Sequence, residues 1–162
     1  MRNRPYTRIA ALLALLLATS TPAFADATLF IGGTTTPSSR QVKGFSVGAG
    51  LLIVAFEFEY ANTSEDFDET APGLRTFMGN VLLQTPFAFR GQQPYLTTGG
   101  GGYRETLGPL QETHVGLNTG GGVKISLFGP LRARVDYRNF RLNGAPLHDI
   151  VQRFYVGANL KF

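Results

Sequence analysis

Glu57 and Glu59 stand two residues apart, as do Arg132 and Arg134, with Lys124, Asp136, Arg138 and Arg153 nearby in the same C-terminal half as the arginines. A set holding both signs at this spacing can line a water-filled pore, or its members can pair in a closed interior. The interval of two decides what must carry them. In an extended strand, residues i and i+2 share one face. Every charged position here alternates with an apolar one, so the charges lie along one face of several strands.

The other residues able to do chemistry are fewer. His114 and His148 are the only histidines, and neither is followed by the serine that a His-x-Ser arrangement requires. Glu65, Asp66, Asp68 and Glu69 could share a divalent cation with phosphates, but their spacing departs from an EF-hand loop. A solvated acidic loop is the plainer reading. Gly99–Gly102 and Gly120–Gly122 invite a phosphate-loop reading, yet no Gly-Lys-Ser/Thr opens a helix after either. Close backbone approach inside a strand suits them better. No catalytic residue, cofactor or metal site is expected. With no cysteine in 162 residues, disulfide frameworks and thiolate metal sites are excluded.

The elements that must position the charges can be read along the chain. At the C-terminus Phe154, Val156, Ala158, Leu160 and Phe162 oppose Arg153, Tyr155, Gly157, Asn159 and Lys161. Leu131, Ala133, Val135 and Tyr137 oppose Arg132, Arg134, Asp136 and Arg138. Residues from His114 to Leu127 alternate in the same way, and Val54, Phe56, Phe58 and Tyr60 oppose Ala55, Glu57, Glu59 and Ala61. Ala27–Thr36, Val42–Gly50, Gly73–Gln84 and Tyr95–Arg104 make four more strands, and the outward face of the first is left open. Polar, longer connections are expected at Pro37–Arg40, Asn62–Pro72, Glu105–Gln111 and Asn143–Asp149. Tighter turns are expected near Gly50, at Phe87–Pro94 and at Phe128-Gly129-Pro130. Eight strands with loops alternating long and short predict an all-β, eight-stranded antiparallel up-and-down barrel.

Residues 1–25 read as a cleaved signal peptide. Arg2, Arg4 and Arg8 precede the apolar run Ile9–Ala18, and Ala23-Phe24-Ala25 offers small residues at the −3 and −1 positions. The run is too short to span a bilayer as a helix. Removing those three arginines from the 15 basic residues leaves 12 against 11 acidic ones, so residues 26–162 are nearly neutral and nothing calls for nucleic acid.

Alternation alone fits a soluble ligand carrier as well as a membrane barrel. Three features favour the membrane. The polar faces hold both signs, which can pair in a narrow lumen. The same faces are rich in Gly116, Gly120, Gly122 and Gly157, which suits a crowded interior. Tyr60, Tyr95, Tyr103, Tyr137, Phe154 and Phe162 gather toward strand ends, as interfacial girdles do. The signal peptide, the strand spacing, the "RARVDYR" strand and the terminal "FYVGANLKF" together resemble the outer-membrane barrel family that includes the OmpA transmembrane domain and OmpX. That resemblance implies a monomeric barrel in the bacterial outer membrane, among its lipid and lipopolysaccharide. It also implies a C-terminal β-signal of Phe154, Val156, Ala158, Leu160 and Phe162, read by the barrel-insertion machinery. Eight strands leave an interior that side chains fill, so the charges are expected to form a plug with little conductance. A structural or surface-interaction role is the leading expectation. A lipid A-modifying enzyme or a soluble periplasmic carrier is the alternative.

Overall fold

The computed structural model describes residues 23–36, 38–144, 146 and 148–162. Its elements are β1 (Ala23–Thr34), β2 (Arg40–Leu51), β3 (Val54–Thr63), β4 (Gly73–Gln84), β5 (Gln92–Leu107), β6 (Leu110–Phe128), β7 (Leu131–Leu142) and β8 (Ile150–Lys161). Each strand pairs antiparallel with the next, and β8 returns to β1, which closes the sheet into a barrel. Closure pairs the backbone of every strand and leaves no edge. The segment expected to be a signal peptide lies, through Pro22, outside the described residues. Its expected boundary falls within β1, where Ala25 and Phe162 exchange backbone hydrogen bonds at 2.8 and 3.3 Å.

Neighbouring positions on one strand show which way the wall faces. Phe56 is 65% exposed beside Glu57 at 4%, and Phe58 is 45% exposed beside Glu59 at 0%. Around the middle of the wall large apolar residues point out while Glu57, Glu59, Lys124, Arg134, Asp136 and Arg138 point in, the reverse of a soluble carrier. Such an exterior is stable in hydrocarbon, where a closed sheet satisfies its own backbone. In β1 the inward residues are Asp26, Thr28, Phe30 and Thr34, while Leu29 and Ile31 face out.

Two expectations are corrected. Glu105–Gln111 is not a long loop: β5 and β6 pair up to Leu107 and Leu110, leaving only Gly108-Pro109 as the turn. Gly108 takes a φ of 57°, as the first position of a type II′ hairpin requires. Gly129-Pro130 turns the chain the same way, with Gly129 at 53°. Tyr95 and Tyr103, expected in the girdle, point inward at 4% and 1% exposure. Their parity along β5 puts them on the lumen face, where each hydroxyl finds an acceptor (Asp136 and the Asn143 carbonyl). Tyr137, Phe154 and Phe162 do face outward.

The glycine runs lie on β5 and β6, against the backbones of β4 and β7. A Cβ on Gly120 would collide with the Tyr137 carbonyl and stand 3.0 Å from the Arg138 Cα, both parts of a backbone that cannot yield. A Cβ on Gly79 would meet nothing nearer than 3.8 Å. Gly120→Ala is therefore expected to destabilise the barrel by about 1–3 kcal/mol, the usual cost of overpacking. Gly79→Ala should leave the urea midpoint of the folded barrel in micelles nearly unchanged. Equal midpoints for the two would show that the tight approach carries no energetic weight.

Candidate functional site: the ionic lumen

The eight charged residues singled out in the sequence all lie on inward faces, and the structure joins them into three clusters, of which the second and third share Glu59. Nearest the rim that holds the chain ends, Lys124 and Arg132 share the Asp26 carboxylate at 2.5 and 2.9 Å. Arg132 also donates to Asn159 at 2.7 Å and to Gln93 at 3.0 Å.

The middle group is the densest. Arg134 holds Glu57 through both terminal nitrogens and reaches Asp136 at 2.7 Å. Arg138 meets Glu57 at 2.9 Å, Asp136 at 3.0 Å and Glu59 at 3.4 Å, so one guanidinium touches three carboxylates. Glu57 also accepts from Ser46 at 3.1 Å, and the Tyr95 hydroxyl donates to Asp136 while accepting from Arg134 at 2.7 Å. Asn118 donates to Asn80 at 2.8 Å and extends the same network.

Farther up, Glu59 accepts from the Tyr155 hydroxyl at 2.8 Å and from Arg153 at 3.4 Å. Arg153 lays its guanidinium over the Phe140 ring at 4.4 Å, and its Nε and Nη2 have no hydrogen-bond partner among the described residues. Above it Leu74, Met78, Tyr103, Phe140, Leu142 and Val151 form an apolar plug across the lumen. These clusters thus place five cations against four carboxylates, with greasy packing beyond them.

Sequence reasoning missed Asp26, the counter-ion of Lys124 and Arg132, because it lies at the margin of the segment read as a signal peptide. Ser46 and Asn80 were missed for another reason, Tyr95 was assigned to the girdle, and Tyr155 and Asn118 were placed on polar faces but not in the site. Neutral polar residues at lumen positions carry no charge signal, and only strand parity betrays them.

The remaining candidates fall at the rim opposite the chain ends. His114 faces inward beside Tyr103 and meets Glu112 at 3.5 Å. Asp66 accepts from the backbone of Asp68 at 3.1 Å and of Glu69 at 3.4 Å, capping a small turn. No group of three or more acidic or histidine side chains among the described residues is placed to hold a metal ion.

Solved structures share this architecture. The N-terminal β-barrel domain of Pseudomonas aeruginosa OprF is 14% identical, with a TM-score of 0.64 over 86% of this chain and 97% of that one. Neisserial surface protein A is 17% identical, with a TM-score of 0.66 over 86% and 96%. The outer membrane enzyme PagL is 15% identical, with a TM-score of 0.52 over 83% and 98%. No family model and no curated protein matches the chain in sequence. The fold is that of the small eight-stranded outer-membrane barrels.

Proposed function

We propose that this chain is exported by a cleaved N-terminal signal and serves in the outer membrane as a sealed, non-enzymatic barrel with a structural or surface-interaction role. The observation that carries this reading is the lumen itself. Ion pairs fill its centre and an apolar plug covers them toward the rim opposite the chain ends. A barrel packed in this way offers its rims and outer wall to partners, not a channel. The hairpin of β5 and β6 and the acidic turn around Asp66 are the surfaces it presents. Glu65 accepts from the Gly108 backbone at 3.5 Å and ties the two together.

In this reading, the outward row Phe154, Val156, Ala158, Leu160 and Phe162 on β8 is the β-signal used during insertion. The charged lumen set Glu57, Glu59, Lys124, Arg132, Arg134, Asp136, Arg138 and Arg153 is structural. The architectural likeness to PagL favours one second reading, a lipid A-modifying enzyme.

Two measurements decide between them. The folded barrel, recognised by heat-dependent gel migration, is expected to show little conductance in planar bilayers, and steady large openings would overturn the plugged lumen. Lipid A mass spectra from cells with and without the protein are expected to match. An acyl-chain difference would install the enzyme instead.

A further inference from the structure

Strand register places Lys43, Asn62, Arg75, Arg104 and Thr113 in one transverse row across β2 to β6, on the outer wall near the rim opposite the chain ends. Lys43, Arg75, Arg104 and Thr113 are exposed. Arg75 and Arg104 are direct cross-strand partners, a like-charge pairing that a sheet tolerates poorly without a counter-charge. No ion pair among the described residues includes any of these three cations. Among the described residues, Arg104 donates only to Thr113, at 3.2 Å.

Two residues nearer the membrane centre on the same strands, Phe45, Tyr60 and Phe77 form a continuous aromatic row, with ring centroids 5.7 and 4.9 Å apart. Aromatic rows of this kind sit at headgroup depth. The cations therefore stand at the level of lipid phosphates. Beside them a groove of about 520 Å³ opens in the wall between β8, β1, β2 and β3. Leu29, Ile31, Phe45 and Val156 line its sides, and the backbone at Phe30, Gly44 and Gly157, whose side-chain positions face the lumen, forms its floor. Asn62 belongs both to this groove and to a polar rim pocket of about 320 Å³ that contains Arg75 and Thr106. The pocket's one carboxylate, Glu65, accepts from the Gly108 backbone.

We infer that this wall holds one acylated, phosphate-bearing lipid, an acyl chain in the groove and its phosphate on Lys43, Arg75 and Arg104. Guanidinium forks and an ammonium are the groups that bind phosphate oxygens well. A bound phosphate removes the Arg75–Arg104 repulsion. The inference rests on the membrane-barrel reading and deepens it by naming a ligand class.

The test uses the full folded barrel in zwitterionic micelles and native mass spectrometry. Its probes are phosphorylated lipid A, dephosphorylated lipid A and inorganic phosphate. Wild type is expected to retain phosphorylated lipid A at least tenfold more tightly than either of the others, with retention falling as salt is raised. The triple variant K43Q/R75Q/R104Q should lose that preference, and R75K/R104K should keep most of it. Equal retention of dephosphorylated lipid A, or tight binding of inorganic phosphate alone, would overturn the lipid site. So would an unchanged triple variant. Heat-dependent migration of each sample reports separately on the barrel. A wild type that never shows it would sink the membrane reading itself, whereas a variant that alone fails to fold leaves the salt and dephosphorylation arms on wild type to decide.

Discussion

Replacing Arg138 with Met is expected to cost about 3–5 kcal/mol of folding free energy, the range for breaking a buried ion pair by removing one partner. Arg138 is fully buried and is the one lumen cation in contact with Glu57, Asp136 and Glu59 together. Methionine keeps most of the volume but leaves those carboxylates short of a counter-charge in a space that water enters poorly. Urea unfolding of the refolded barrel in micelles measures the loss. A cost below about 1 kcal/mol, the level of an exposed pair, would mean that the lumen is wet and the network ornamental. The companion substitutions should rank by contact. Glu57→Gln weakens two arginines at once, with distances of 2.9 and 3.2 Å to Arg138 and Arg134. Glu59→Gln disturbs longer contacts of 3.4 Å to Arg138 and Arg153 and should lower thermal stability less.

A second large effect is expected on the opposite face of the same strand. Phe58 is outward, near the middle of β3, with Glu57 and Glu59 buried on either side of it. Phe58→Arg puts a guanidinium into hydrocarbon and should cost about 2–4 kcal/mol in a bilayer if Phe58 lies near the midplane. The same change on a water-facing wall lies within about 0.5 kcal/mol of neutral. Unfolding curves in phospholipid vesicles separate the two cases. A silent Phe58→Arg would place this wall in water and return the soluble carrier to contention.

The two experiments probe one arrangement from both sides, and strand alternation already contained it. Period two along β3, β6, β7 and β8 identified which residues share a face, because in a strand that relation is local. Composition then argued for ions inside, since mixed charges can pair only if gathered together. Where apolar residues stand on both faces, hydropathy separates the faces less cleanly. β4 turns Leu74, Met78 and Leu82 inward among Thr76, Asn80 and Gln84, and Phe77, Val81 and Leu83 outward, so its alternation is blurred in hydropathy. β1 is ambiguous for the same reason, with Phe30 inside between Leu29 and Ile31 outside.

The hairpin of β5 and β6 failed differently. Gly129-Pro130 was legible as a turn because apolar strands flank it. The identical Gly108-Pro109 is flanked by Glu105, Thr106, Gln111 and Glu112, which read as loop. Strands that project beyond the apolar layer have no greasy side to maintain, and the pattern that marks them fades although the backbone pairing continues.

By itself the sequence determined the number of strands, the two-faced wall and most of the residues that are ionic on its inner side. These follow from side-chain direction along a single extended chain. Tertiary closure alone decided who pairs with whom. Lys124 meets Asp26 across 98 positions, and Arg138 meets Glu57 across 81. Such partners are set by the stagger at which eight strands close, a property of the whole ring that no stretch of sequence carries. The same stagger aligns Lys43, Arg75 and Arg104, which lie on three different strands, into one row.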